Sequence, residues 1–291
     1  MIGRRNFLAL GAAAPLAALT PVPNPSLDTS RVKTRSVGKV NIAFQSPIPK
    51  PNGLQATAEG LWIIHQDDAN SASLVSYDDG KLLRSFPTET NKSSGLTYHE
   101  GTLWIGSTYS REIIHCDATT GKTIDKYFTP GAGIIYEMAG DAPGRRSPLA
   151  PPPKKRERAP GEDVGGFQMG HILGPAAAGT GAHGQEWRDG KLWMAVPPAR
   201  MMFCMDPKTW VVQKRFETAG NRPHGIGWEG KYLWVTDSNL NAFFKHDTET
   251  GEIVEKIQLA ETDPLPHGMS IWGDTMWYCD DVGVVCRLKL A

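Results

Sequence analysis

The sequence predicts an all-β protein, a β-propeller of four-stranded blades, and three observations carry the prediction. A polar marker residue, a Gly directly after it and a Trp ten residues beyond it recur in five copies: Asn52-Gly53 with Trp62, Ser94-Gly95 with Trp104, His183-Gly184 with Trp193, His224-Gly225 with Trp234, and His267-Gly268 with Trp277. Adjacent copies are 41 to 43 residues apart, the length of one blade. Within a copy, short alternating segments are separated by turn residues, so strands can be assigned. In the fourth copy these are His224 to Trp228, Lys231 to Thr236, Ala242 to His246 and Glu252 to Leu259, with a polar turn from Asp247 to Gly251 before the last. The second copy repeats that turn at Asp117 to Gly121, and the first has Tyr77 to Gly80.

The fifth copy stops after its third strand, Val284 to Leu290, and lacks a fourth. The segment Val37 to Gln45 alternates and stands before the first marker, so it is expected to complete the last blade and close the ring, since propellers leave few free edges. One interval breaks the period: Ser94 and His183 are 89 residues apart. Residues 129–182 hold no repeat unit, are rich in Gly, Ala and Pro, and include the run Pro151 to Arg158. That composition suits an insertion better than four packed strands. The expectation is five blades in one domain, 37–291, carrying a long insertion at 129–182, with six blades as the alternative. The insertion leaves on the marker face, which makes it a candidate lid.

Lys plus Arg equals Asp plus Glu at 31 each, so no global field recruits nucleic acid or an anionic membrane. The N-terminus reads Met1-Ile2-Gly3-Arg4-Arg5-Asn6-Phe7-Leu8, then an Ala/Leu-rich run to Leu19. A basic start, a short apolar stretch and small residues describe a signal peptide over 1–20, too short to span a bilayer. Paired arginines followed by Phe-Leu point to the twin-arginine type. The mature protein is therefore expected to be periplasmic or secreted, without a membrane span, and residues 21–36 are expected to be a linker. The cysteines Cys116, Cys204, Cys279 and Cys286 lack metal-ligand spacing. Cys279 and Cys286 flank a short connection and are candidates to pair across a hairpin, or all four are buried thiols.

The markers begin the innermost strands, so all five converge on the mouth of one channel, and the Gly after each lets backbones approach there. Three consecutive blades supply His183, His224 and His267. Three imidazoles on rigid strands are a candidate site for a divalent metal, Zn, Fe, Cu or Ni. Without metal they are candidate acid–base residues; the bland alternative is that they bond water and cap strands. Asn52, Ser94, His65, Tyr109, Arg111, Arg200, Arg222 and Asp237 fall near the same face in sequence, and His171 lies in the insertion, so these are the candidate substrate contacts. The five Trp are inter-blade core. No Ser-His-Asp order, phosphate loop or basic aromatic stripe is present.

Gly-Leu or Gly-Ile opening a blade, Gly-x-Leu-Trp into its second strand, and Asp-x-x-Thr-Gly before its last resemble the extracytoplasmic propellers grouped with virginiamycin B (streptogramin) lyase and the NHL and YVTN-type repeats. The copy Ser94-Gly95-Leu96 through Gly106-Ser107-Thr108-Tyr109 to Thr120-Gly121 is also similar to the five-bladed glutaminyl cyclotransferases. The first resemblance implies a channel His working with Mg²⁺, and of this the channel His carries over, onto His183, His224 and His267. The second implies a metal-free enzyme with a channel Glu, and no marker here is Glu. The two together imply a small-molecule enzyme of lyase or hydrolase type. A non-catalytic propeller that binds a ligand or a protein partner is the remaining class.

Overall fold

The computed structural model describes residues 27–132, 180–280 and 282–290. These form five separate four-stranded antiparallel sheets. Blade one is β2 (Pro51–Thr57), β3 (Gly60–His65), β4 (Ala72–Val75) and β5 (Leu82–Phe86). Blade two is β6 (Ser93–His99), β7 (Thr102–Ser107), β8 (Glu112–Asp117) and β9 (Thr123–Phe128). Blade three is β10 (Gly184–Arg188), β11 (Lys191–Val196), β12 (Met201–Asp206) and β13 (Val211–Glu217). Blade four is β14 (Pro223–Glu229), β15 (Tyr232–Asp237), β16 (Ala242–Asp247) and β17 (Ile253–Gln258). Blade five takes β18 (Met269–Trp272), β19 (Thr275–Cys279) and β20 (Val284–Lys289) from the C-terminus, and its outer strand β1 (Asn41–Gln45) from the N-terminal side. The expected signal segment, 1–20, and most of the expected insertion, 133–179 with His171, lie outside the described residues. Among the described residues no helix is long and apolar enough to cross a membrane.

The five Trp do what a large ring repeated in every blade should do. Trp62, Trp104, Trp193, Trp234 and Trp277 are all buried, and each sits in a core that joins its own blade to the next. The last of these cores returns to the start, packing Trp277 and Cys279 against Leu54, Leu61 and Ile63 of blade one.

The marker glycines form a second ring. A Cβ added at Gly53 would lie 2.5 Å from Gly95 Cα, one at Gly95 2.6 Å from Gly184 Cα, and one at Gly268 2.5 Å from Gly53 Cα. At Gly225 it would meet the backbone of Gly268 and Met269, and at Gly184 that of His224. Any side chain at these positions overlaps the neighbouring backbone, which is why the repeat needs Gly there.

Turn chemistry explains the outer strands. Asp117 Oδ1 accepts the N–H groups of Thr119 and Thr120 at 3.0 and 2.7 Å, and Gly121 closes the turn at φ 74°. Blade four repeats this with Asp247 and with Gly251 at φ 79°. Blade three keeps the aspartate, Asp206, but puts Trp210 at φ 55° in the glycine's place. Its ring offsets that left-handed cost by filling the gap to blade two, stacked on Tyr127 at 4.4 Å and donating Nε1 to Phe128 O at 2.7 Å.

Two expectations need correction. Residues 27–36, read as a linker, are docked: Leu27 N–H donates to Ala219 O, Lys256 N–H to Lys33 O and Arg35 N–H to Lys256 O. Arg35 also bonds Glu229 at 2.7 Å, Glu255 at 2.5 Å and Leu290 O at 3.0 Å. The chain must then cross from blade four to blade five, so Val37 and Val40 pack into the core between them and pairing begins only at Asn41. The second correction concerns Cys279 and Cys286. Cys286 lies opposite Tyr278, one position off Cys279, and side chains alternate faces along a strand. Cys279 therefore packs toward blade one and Cys286 toward blade four, and the four cysteines are buried thiols that form no disulfide.

Candidate functional site

Each marker lies at or just before the start of an innermost strand, so the fold gathers all five at one mouth. His183 and His224 have ring centroids 4.6 Å apart in an edge-on arrangement, and His224 and His267 are 3.7 Å apart and tilted by 47°. On the other side of the mouth Ser94 Oγ donates to Asn52 Oδ1 at 2.7 Å.

The hydrogen bonds determine two tautomers. Ser238 Oγ donates its proton to Pro266 O at 2.7 Å, so it can only accept from His224 Nδ1, 3.1 Å away. Arg222 O, 2.9 Å from the same nitrogen, also accepts. His224 thus carries its proton on Nδ1 and its lone pair on Nε2. His267 Nδ1 faces Asn52 O at 3.1 Å, and a carbonyl can only accept, so this ring has the same tautomer. His183 has both ring nitrogens shielded from solvent with no hydrogen-bond partner among the described residues.

Burial, helped by the neighbouring His267 and Arg222 charges, pushes His183 down to about 3. Burial, with His267 and His183 close by, holds His224 well below its ordinary value. Both are neutral at pH 7. Two Nε2 lone pairs backed by Nδ1–H to carbonyl bonds have the chemistry of metal-ligating imidazole. However, no group of three His, Cys, Asp or Glu side chains among the described residues is arranged to hold a metal ion, and the expected three-imidazole metal set is not formed in this arrangement.

The histidines line a cavity of about 500 Å³ together with Asn52, Tyr109, Arg222 and Lys50, and with Gln66, Thr108, Thr180 and Pro197. Of the other candidates, His65 does not line it. It is fully buried at the end of β3, bonded through Nε2 to Ser73 Oγ at 2.7 Å, and burial pushes it down to about 4. Asp237 is buried and its carboxylate accepts the N–H groups of Arg222 and Leu240 at 3.0 and 3.1 Å, which spends it on the turn. Arg200, buried at φ 53°, and half-buried Arg111, at φ 62°, accept Thr218 N–H and Thr129 N–H through their carbonyls. Neither lines the cavity among its described residues.

A second polar layer, three residues past the markers, was not legible as a site. Glu186 Oε1 accepts from Gln55 Nε2 at 3.3 Å and from Ser270 Oγ at 3.2 Å, and Gln55 Oε1 accepts from Thr97 Oγ1 at 2.6 Å. Residues from blades one, two, three and five thus meet across the channel and close it below the imidazoles. Burial pushes the Glu186 carboxyl up to about 8, against hydrogen bonds from Ser270 and Gln55 that favour its charge. It holds its proton at pH 7. Strict alternation would place marker and marker plus two on one side. Register shifts between Pro51 and Gly53, Ser93 and Leu96, and Pro223 and Ile226 reverse that parity in blades one, two and four, and so turn Gln55 and Thr97 toward Glu186 and Ser270. The signal available in the sequence was a polar residue at marker plus three in four of five copies: Gln55, Thr97, Glu186 and Ser270.

No protein-family model matches the chain, and no curated protein matches it. Among solved structures it is similar to the glutaminyl cyclase of Myxococcus xanthus, at 8% identity and a TM-score of 0.55, covering 88% of this chain and 97% of that one. It is also similar to virginiamycin B lyase from Staphylococcus aureus, at 20% identity and a TM-score of 0.48, covering 87% and 99%. At 8% identity the likeness to the Myxococcus structure shows the fold alone, a β-propeller.

Proposed function

We propose that this chain is an exported small-molecule enzyme whose reaction runs in the marker-face cavity, with His183, His224 and His267 handling a proton in lyase- or hydrolase-type chemistry. One observation carries the reading: three imidazoles from three consecutive blades line one cavity, two of them held in a single tautomer by backbone carbonyls. A pure scaffold needs no such asymmetry between blades. The Myxococcus structure, a glutaminyl cyclase, illustrates that a fold of this kind can house an enzyme. The protonated Glu186 favours a second, metal-free version in which its carboxylic acid donates the proton.

The test is to incubate mature protein with a small-molecule extract and follow consumption by mass spectrometry, with metal content measured on tag-free protein. Wild type is expected to consume a compound, and His183→Ala or His224→Ala to slow it by about 100-fold. Equal consumption by both variants ends the reading. The kcat/KM, which reports the free protein, should stay flat as pH falls through 6.5, because burial keeps His183 and His224 neutral well below that value when no substrate is bound. Stability should fall over the same window. Below pH 6.5 the unfolded imidazoles take up protons that folded His183 refuses until about 3 and folded His224 refuses well below its ordinary value, so the unfolded state is favoured progressively.

Export rests on Arg4 and Arg5. Residues 1–26 fused to a reporter should carry it out of the cytoplasm, and Arg4→Lys with Arg5→Lys should stop it. Export of the double-Lys fusion at the original level would instead indicate a plain secretory signal.

A further inference from the structure

We infer that the marker-face cavity is selective for small organic anions, and that Arg222 and Lys50 hold the substrate's oxyanion, a carboxylate or a phosphate. This names the substrate class for the site proposed above and rests on that reading. The first observation is the charge of the lining. Lys50 and Arg222 are the charged residues among those described around the cavity, and no acidic residue joins them. Neither makes an ion pair with a described residue. The nearby turn carboxylates are committed elsewhere: Asp67 accepts from Ser71 N and Oγ at 2.7 and 2.9 Å, and Asp280 accepts the N–H groups of Val282, Gly283 and Val284. Asp237 is held by Arg222 N–H and Leu240 N–H.

The second observation is independent and comes from the repeat. Two residues before the marker the five blades carry Lys50, Lys92, Gly181, Arg222 and Leu265. In three of them the backbone carbonyl accepts an N–H from the turn after the second strand: Gln66 to Lys50 O at 2.9 Å, Thr108 to Lys92 O at 3.1 Å, and Ser238 to Arg222 O at 3.2 Å. That bond needs a carbonyl and places no demand on the side chain. Lys50 and Lys92 moreover stand at φ 56° and 54°, a region that favours Gly or Asn. The backbone geometry asks for a small residue, and the chain supplies cations at the rim.

Two cations without an ion-pair partner among the described residues, beside His183 and His224, which burial keeps neutral, leave the described lining short of negative charge. An oxyanion supplies it, and Arg offers a fork that matches carboxylate or phosphate with two parallel bonds. Its charge also raises the proton affinity of the adjacent rings, which burial and Arg222 otherwise depress. That effect would make weakly basic imidazoles effective only when the right substrate is bound.

Titration calorimetry on the mature protein tests this with succinate and with inorganic phosphate, at low and high salt. At least one of the two is expected to bind, more weakly as salt rises, with succinate alone marking a carboxylate site and phosphate alone a phosphate site. Arg222→Gln should weaken binding by about tenfold and Lys50→Gln by less, both with unchanged melting. Lys208→Gln, on another surface, should leave binding as in wild type. No binding of either anion to wild type, or equal binding by Arg222→Gln, overturns the inference. Anion binding without turnover of any small molecule sinks the enzyme reading and leaves this one standing. Turnover of a neutral or cationic compound, unaffected by Arg222→Gln, does the reverse.

Discussion

A mature chain lacking residues 31–45 is expected to melt at least roughly 10 °C below the chain that begins at residue 27, or to fail to fold. The deletion removes β1, so β20 loses its pairing from Asn41 to Gln45 and faces solvent as an unpaired edge. Phe44, buried near Trp277 at 6.4 Å between ring centroids, goes with it, a loss of about 3 kcal/mol by itself. Arg35 goes too, leaving Glu229 and Glu255 to share Lys245, which lies 2.6 and 3.5 Å from them. In a domain of this size each kcal/mol moves the melting point by about 2–4 °C, so the combined effect is large. Arg35→Ala alone should cost far less, about 1–2 kcal/mol, because the strand stays paired and the ion pairs are partly solvated. A truncated chain that melts with the full one would mean that the inter-blade cores hold the ring without its outer strand.

Gly225→Ala is the second large effect, expected to destabilise by about 3 kcal/mol, the upper end for overpacking. The new methyl would sit 2.6 Å from Gly268 C and 2.7 Å from Met269 Cα. Backbone cannot rotate aside as a side chain does, and each glycine of this ring abuts the next, so relief at one point compresses another. Gly230→Ala is the control. Its Cβ meets nothing within 4 Å, but φ is +58°, so only the left-handed conformation is penalised, by about 1 kcal/mol. Thermal melts of the two variants separate crowding from backbone strain; equal shifts would count against the glycine ring as a point of contact between blades.

By itself the sequence determined the blade, because a propeller blade is a local object. Its strands are consecutive, its turns are marked by Asp and Gly, and its Trp and Gly recur at one spacing, so a single copy predicts β14 to β17 within a residue or two at most ends. The convergence of His183, His224 and His267 was legible for the same reason, since equivalent positions in a ring must face one channel. Four things depended on the tertiary structure. The docking of residues 27–36 on blade four and the split of Cys279 from Cys286 depend on which neighbour each surface meets. The charge of the cavity lining depends on which turn acids are held away from it by backbone N–H groups, and alternation cannot report that. Last, Gln55 and Thr97 meet Glu186 and Ser270 in the channel because in blades one and two an extra residue at the strand start shifts the pairing and reverses the parity of every side chain after it. Strand periodicity read from the sequence assumes an unbroken ladder, so the parity beyond the glycine ring came only from the register between strands.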